Sequence, residues 1–504
     1  MSLYDNFKEG VRHRMREFLQ IRDPATVTKM MIEQDMTHEI NTAIHKVLYR
    51  TDAFETKQAF RSLNTGMARF WSSVPSKNRD IRYIRSDLYQ LVIDVLSDIC
   101  TIGLNAPEFE DKSKEELFNE IFSDKNELNY WAINKQAITK ALTTGDGAFK
   151  ISIDTDISEY PIVEFFDAEF VDYKYKRGHL TNILFYTRFK ENDTWYVLEE
   201  DYGKGYIRYK LFRDDKEVPL SMCEFTKDYN DVEFAGNYIM AHQFKIWDSA
   251  KYKGRGKPLM DGKIDEIDAL DEVISQWWDA LRAGRVNKYI PESLIPRDEN
   301  GDLMRPNSFD NNFMKIKGTL NEVGDEIRVV QPDIRYDAFL QSYVAALDRC
   351  LMGVISPSTL GIDARKLDDN ATAQREREKI TGWRRNQITD VLEDVIPAVI
   401  NKVLKTYANM TGGSVDETEI TVSFDEYNSP GIEQKLEVAA KGAPSLQLLT
   451  WKQIAEIICD DKTEEEQQAI AEELKQLNNP TMMEPAMFPT DMEKAELEEL
   501  PIIE

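Results

Sequence analysis

Between Tyr336 and Met410 the chain reads as an amphipathic helix, a polar loop holding one glycine, and a second helix of about 40 residues. At the usual rise that last helix spans roughly 60 Å. Few globular domains hold a helix so long, which narrows the architectures open to the chain. Pro397 removes one of its hydrogen bonds and crowds the preceding turn, so a kink near Asp394 is expected. Gly412 and Gly413 end it, and residues 420–424 read as one alternating strand. Residues 431–478 return to helices.

Upstream, residues 1–60 read as helical with weak patterning, and 11–19 carries four basic side chains. Over 81–102 the apolar residues Ile84, Leu88, Leu91, Val92, Val95, Leu96 and Ile99 recur at three and four, an amphipathic helix that Gly103 stops. A helix over 126–143 runs into Thr144-Gly145-Asp146-Gly147, where the period switches to alternation and a strand begins. The glycines there read as turn chemistry that permits positive φ. Strands are expected at 162–166, 183–189, 194–198 and 206–212, making 147–245 a mostly antiparallel sheet region.

A helix over 259–283 carries two opposed stripes. Met260, Ile264, Ile267, Leu270, Ile274, Trp277 and Leu281 form the apolar one. Asp261, Asp265, Asp268, Glu272 and Asp279 fall on the other. Arg282, Arg285 and Lys288 stand near the carboxyl end, where the macrodipole favours cations. Residues 285–335, punctuated by Pro291, Pro296, Gly301 and Gly324, read as a compact insertion of short strands and turns. The helix after it, 336–355, places Phe339, Leu340, Tyr343, Val344, Leu347, Leu351 and Met352 on one face, suited to an antiparallel hairpin with 259–283. Lys251, Lys253, Arg255 and Lys257 read most simply as a solvated turn before that hairpin, with a contact to a partner or a neighbouring subunit as the alternative.

At 504 residues the chain is long enough for roughly two to four domains. Its 63 basic against 90 acidic side chains give a formal charge of -27, which argues against a protein that grips nucleic acid by neutralising phosphates. Cys100, Cys223, Cys350 and Cys459 are scattered, as expected of buried thiols in a reducing cytoplasm. The amino terminus lacks a basic start followed by an apolar core, and no charge-free apolar run reaches about 18 residues, so a soluble protein is expected. His13, His38, His45, His179 and His242 are too dispersed to suggest zinc, and Thr42 stands where a metalloprotease motif begun at His38-Glu39 needs its second histidine. Lys253-Gly254-Arg255-Gly256-Lys257-Pro258 imitates a phosphate loop but lacks its first glycine and its final hydroxyl. No Gly-x-Ser-x-Gly elbow occurs. Catalysis, a metal and a cofactor are therefore not expected. From Asp460 onward there are 14 acidic and 3 basic residues, with Pro480, Pro485, Pro489 and Pro501 breaking a tail expected to be disordered at its far end.

The loop Ser356-Pro357-Ser358-Thr359-Leu360-Gly361-Ile362-Asp363-Ala364-Arg365-Lys366-Leu367-Asp368-Asp369, followed by Asn370-Ala371-Thr372-Ala373, resembles the tunnel-loop region of portal proteins of tailed double-stranded DNA bacteriophages. Thr144-Gly145-Asp146-Gly147 and Gln331-Pro332-Asp333 add to the likeness, which covers about residues 80–478 and rests mainly on element order. It implies an α+β portal fold. Its parts would be an N-terminal helical arm (1–60), a mixed wing (61–255), stem helices (256–284 and 336–355) bracketing a small α/β clip (285–335), and a tunnel loop (356–370). A long kinked wing helix with its return strand (371–425), a helical crown (426–478) and an acidic tail (479–504) would follow. It also implies a ring, commonly of about twelve subunits, at one capsid vertex of the virion, assembled in the host cytoplasm. Its partners would be double-stranded DNA, the terminase large subunit, the head-tail connector, and the major capsid and scaffolding proteins, with no membrane. ATP hydrolysis would belong to the terminase.

A charged helix face is ordinarily just solvated. In a ring of this kind, however, Asp261, Asp265, Asp268, Glu272 and Asp279 would line the channel and repel a column carrying a charge about every 1.7 Å. Arg365 and Lys366 would touch phosphates, and Asp368 and Asp369 would limit residence. Asp369 or Asn370 can equally cap the long helix. Two other readings stay open: a different capsid-associated structural or scaffolding protein, and a metal-dependent phosphodiesterase holding two cations on Asp261, Asp265 and Asp268.

Overall fold

The computed structural model describes residues 37–63, 68–74, 81–123, 126, 128–214, 216–284, 287–291, 297, 312–316, 328–330, 334–362, 371–413, 417–425, 450–458 and 464–477. The fold is α+β, with helices beside antiparallel sheets. The chain divides into two units, 1–425 and 426–504.

Three helices come first: α1 (His38–Tyr49), α2 (Ala53–Leu63) and the single turn α3 (Arg69–Ser72). Then comes α4 (Leu88–Ile102), which starts seven residues later than the apolar period over 81–102 suggests. Residues 81–87 are not helical because they are held from outside: Ile84 N–H donates to Ser275 Oγ at 3.0 Å and Ser86 N–H to Asp271 at 2.8 Å. Asp87, at φ +55°, turns the chain into the helix.

After β1 (Glu108–Phe109) and α5 (Lys112–Ile121), α6 (Tyr130–Thr144) begins at Asn129, whose side chain accepts the Ala132 N–H at 3.0 Å. It ends at Gly145, with φ +102° and its N–H on the Ala141 carbonyl. There β2 (Asp146–Ser152) starts, so the junction falls where the sequence period switches. Gly145 has the positive φ expected of it. Gly147 serves a different need: a Cβ there would stand 2.5 Å from the Phe166 carbonyl oxygen.

Next come β3 (Ile162–Asp167), β4 (Val171–Lys176), β5 (His179–Glu191), β6 (Thr194–Gly203), β7 (Tyr206–Arg213), β8 (Lys216–Val218), β9 (Val232–Glu233) and β10 (Ala241–Lys245). They form two antiparallel sheets, β10-β2-β3 and β4-β5-β6-β7-β8 with β9 added to β7. Strand β2 is buried along nearly its whole length.

The helix read over 259–283 is observed as α7 (Ile264–Ala283), because Gly262 at φ +81° holds the preceding residues in a turn. The insertion contributes β11 (Asn287–Pro291), β12 (Asn312–Ile316) and β13 (Arg328–Val330), with β11 central, parallel to β12 and antiparallel to β13. Then come α8 (Tyr336–Leu351), α9 (Ala371–Met410) and β14 (Ile420–Thr421), which pairs with β1. Helix α9 is one 40-residue element with Pro397 inside it. It ends through Gly412 at φ +71° and a Gly413 N–H on the Ala408 carbonyl.

A long helix needs a long partner surface. From Ile388 on, α9 buries Leu392, Ile396, Ile400, Val403 and Leu404, and it lies against α4, α5, β2 and β10. Ile93, Leu96, Ile138, Leu142, Phe149 and Phe244 complete the core there. In the second unit, α10 (Trp451–Ile458) packs on α11 (Glu464–Leu477). Residues 479–504, where disorder is expected, lie outside the described residues.

Candidate functional site

Helices α7 and α8 lie side by side and antiparallel. At one end Lys263 Nζ donates to the Arg349 carbonyl at 2.7 Å. At the other, Trp277 sits among Tyr336, Phe339 and Tyr343, stacked on Phe339 at 6.2 Å with an interplanar angle of 7°. The spacing 336, 339, 343 puts those three rings on one helix face.

One end of this hairpin is rooted in the core. Ile264, Ile267 and Leu270 at the start of α7 and Leu347, Cys350 and Leu351 at the end of α8 are buried. The other end is uncovered: Trp278 is 58% exposed, Leu281 41%, Tyr336 55% and Leu340 36%.

The acidic residues of α7 do not form one solvated face. Asp268 is buried, accepting the Phe70 N–H at 2.9 Å and the Trp71 N–H at 3.1 Å. Those amides belong to the first turn of α3, so Asp268 caps a helix distant in sequence. Asp265 accepts the neighbouring Ala68 N–H at 3.0 Å. One turn further, Asp271 accepts the Trp71 indole N–H at 3.0 Å and the Ser86 N–H at 2.8 Å, with Arg85 Nε at 3.6 Å. Burial pushes the Asp268 carboxyl up to about 6, its two amide donors opposing the shift. Burial also raises Asp271, against the pull of Arg85 and its hydrogen bonds. At 3.6 Å the Arg85 contact is an ion pair without a good hydrogen bond, so it fixes geometry more than it stabilises.

Each acid named from the sequence therefore has its own place. Asp261 lies in the turn before α7 and pairs with Lys251 at 2.6 Å. Asp268 belongs to the interior, which corrects its assignment to an exposed acidic row: the chain over 68–71 covers it. Asp265 and Glu266 border a concavity of about 550 Å³ between the two helices. Glu272 accepts the Gln276 amide at 2.8 Å on the surface of α7. Asp279 sits in a small cleft with Arg82, Trp278 and Arg282. Asp261, Asp265 and Asp268 answer to different donors, and among the described residues no group of three or more His, Cys, Asp or Glu side chains is placed to hold a metal ion. Arg365, Lys366, Asp368 and Asp369 lie outside the described residues. The start of their loop is tied to α9, since Ser356 N–H donates to Thr381 Oγ1 at 3.0 Å.

The basic turn before the hairpin also differs from its solvated reading. Arg255 turns inward, donating to the Val171 and Ala168 carbonyls, each at 2.9 Å, and lying over the Tyr173 ring.

Sequence reasoning missed Asp271, Ser275, Arg85 and Trp71. A signal was there: Asp268, Asp271 and Ser275 recur at three and four, a polar stripe bordering the apolar one and so placed to meet a second layer of chain. Chemically, this stripe joins the base of the hairpin to residues 68–86. Among the described residues no helix is long and apolar enough to cross a membrane. Comparison with protein-family models and with curated proteins finds no match to this chain.

Proposed function

We propose that this chain is one subunit of a ring-shaped portal at a capsid vertex of a tailed DNA virus, a passive conduit for double-stranded DNA during packaging, retention and ejection. The observation that carries the reading is the α7–α8 hairpin, rooted in the core at one end, exposing Trp278, Leu281, Tyr336 and Leu340 at the other, and interrupted by the three-stranded insertion. A neighbouring copy packed on each side would cover those side chains. The order of sheet region, hairpin with insertion, loop and long helix supports it further.

In such a ring the outward carboxylates of α7, Asp265, Glu272 and Asp279, repel the phosphate column and leave it few places to stick. Asp268 has no part in this. Arg365 and Lys366 supply weak phosphate contacts in the loop, and Asp368 and Asp369 shorten them. The insertion would meet the head-tail connector, with the terminase large subunit, the major capsid protein and the scaffolding protein as the other partners.

Native mass measurement with negative-stain imaging tests the proposal. A closed ring with an axial hole wide enough for a duplex is expected, and a monomer under every assembly condition overturns it. Magnesium- or manganese-dependent nuclease activity without a ring would favour the phosphodiesterase reading instead.

A further inference from the structure

The outer face of the larger sheet carries one group of large apolar side chains, Tyr186, Trp195, Val197 and Phe212, among charged ones. Its inner face packs Phe189, Tyr196, Leu211 and Cys223 together. Strand alternation and the pairings Tyr186↔Glu199, Arg188↔Val197 and Val197↔Phe212 put Tyr186, Arg188, Val197, Glu199, Phe212 and Trp195 on the opposite face. Trp195 is 63% exposed. This face floors a groove of about 730 Å³ that His38, Glu39, Asp172 and Arg255 also line.

Two features identify what fits it. The first is where the chain enters: residues 1–36 join the described structure at Thr37, and the next two residues, His38 and Glu39, line the groove. That entry point is pinned, with the Thr37 carbonyl accepting the Tyr252 hydroxyl at 3.3 Å and His38 Nδ1 2.9 Å from Arg255. The second is charge. Glu39, Asp172, Glu199 and Asp214 outnumber Arg188 and Lys253 along the walls, the Arg255 guanidinium being turned into backbone carbonyls. Residues 11–22 carry Arg12, Arg14, Arg16 and Arg22 against one acid, Glu17, interleaved with Val11, Met15, Phe18, Leu19 and Ile21. Residues 23–36 tether that stretch to the groove, with an extended reach of roughly 45 Å.

We propose that residues 11–22 of the same chain dock in this groove, their apolar side chains on Trp195, Val197 and Phe212 and their arginines on the acidic walls. Docked there, the segment covers Trp195, Val197 and Phe212.

The test is cysteine crosslinking in the full-length chain carrying Gln20→Cys with Arg188→Cys, neither of which removes an apolar anchor. Oxidation is expected to give an intrachain disulfide, seen as faster migration without reductant. Adding Arg12→Glu, Arg14→Glu and Arg16→Glu is expected to cut its yield by roughly tenfold, as is high salt. The proposal is overturned if Gln20→Cys crosslinks equally well to a control cysteine replacing Lys204 past the far end of β6, if the charge reversals leave the yield unchanged, or if the product is mainly a two-chain species, which would assign the groove to a neighbouring copy.

Discussion

The Trp71 indole N–H donates to the Asp271 carboxylate at 3.0 Å, joining residues 200 positions apart in sequence. Trp71 is almost fully buried and Asp271 wholly so. Around this bond Asp265, Asp268, Asp271 and Ser275 satisfy the amides of residues 68, 70, 71, 84 and 86, so the hairpin's base is fastened by one face of α7.

Trp71→Phe keeps most of the ring and removes the donor, leaving a buried carboxylate with one partner fewer. A loss of about 1–3 kcal/mol is expected in chemical unfolding at neutral pH. A change of a few tenths would mean that water replaces the indole.

Two buried groups give opposite pH dependences. The Asp268 carboxyl, raised from 3.8 to about 6 by burial, holds its proton more tightly folded than unfolded, so its contribution is fully present below about pH 4 and lost as pH rises through 6. The His45 imidazole, buried against the Tyr89 hydroxyl at 2.7 Å and lowered from 6.5 to about 4, contributes above 6.5 and is lost as pH falls towards 4. Each amounts to roughly 3 kcal/mol. His242, lowered to about 3 by burial and by Lys402, acts in the same sense as His45. Unfolding midpoints from pH 4 to 7 should therefore fall more steeply on acidification in Asp268→Asn than in the wild type, and less steeply in His45→Gln. Parallel profiles for all three would rule out these assignments.

Gly145→Ala should be among the costliest single substitutions. The residue would be forced to hold φ +102°, with its Cβ 2.6 Å from the Gly256 carbonyl oxygen, a backbone atom that cannot swing away. A destabilisation of about 2–4 kcal/mol is expected by denaturant titration. Gly178→Ala, at φ +85° with no heavy atom within 4 Å of its Cβ, isolates the cost of the dihedral alone and should lose less.

If the chain works as a conduit, Glu272→Lys with Asp279→Lys should slow DNA packaging while rings still assemble, because each substitution puts a phosphate-binding cation on the outward side of α7. Unchanged packaging would remove these side chains from the channel. Arg365→Ala with Lys366→Ala should alter DNA retention with assembly intact; failure to form rings would instead give that loop a structural role.

Much of the fold is legible because its signals are local. Helical and alternating periods locate α6, β2, β3, β5 and β7 to within about four residues, though they pass over β4 and stop β6 five residues short, and the glycines at 145 and 412–413 end helices where their backbone freedom predicts. Where the reading failed, a distant segment had intervened. Ile84 fits the apolar period of α4, yet its amide is taken by Ser275 and it stays outside the helix. Arg255 looks like a surface cation, yet three acceptors on β4, its flanking turn and α1 draw it inward.

Along α7 the division is clearest. Periodicity alone determined that this segment is a helix with its leucines and isoleucines on one side, since that depends only on spacing along the chain. Which carboxylates stay wet was decided by the tertiary structure, because the amides of Phe70, Trp71 and Ser86 need acceptors, and Asp268 and Asp271 are the ones that chain packing brings within 3 Å or so.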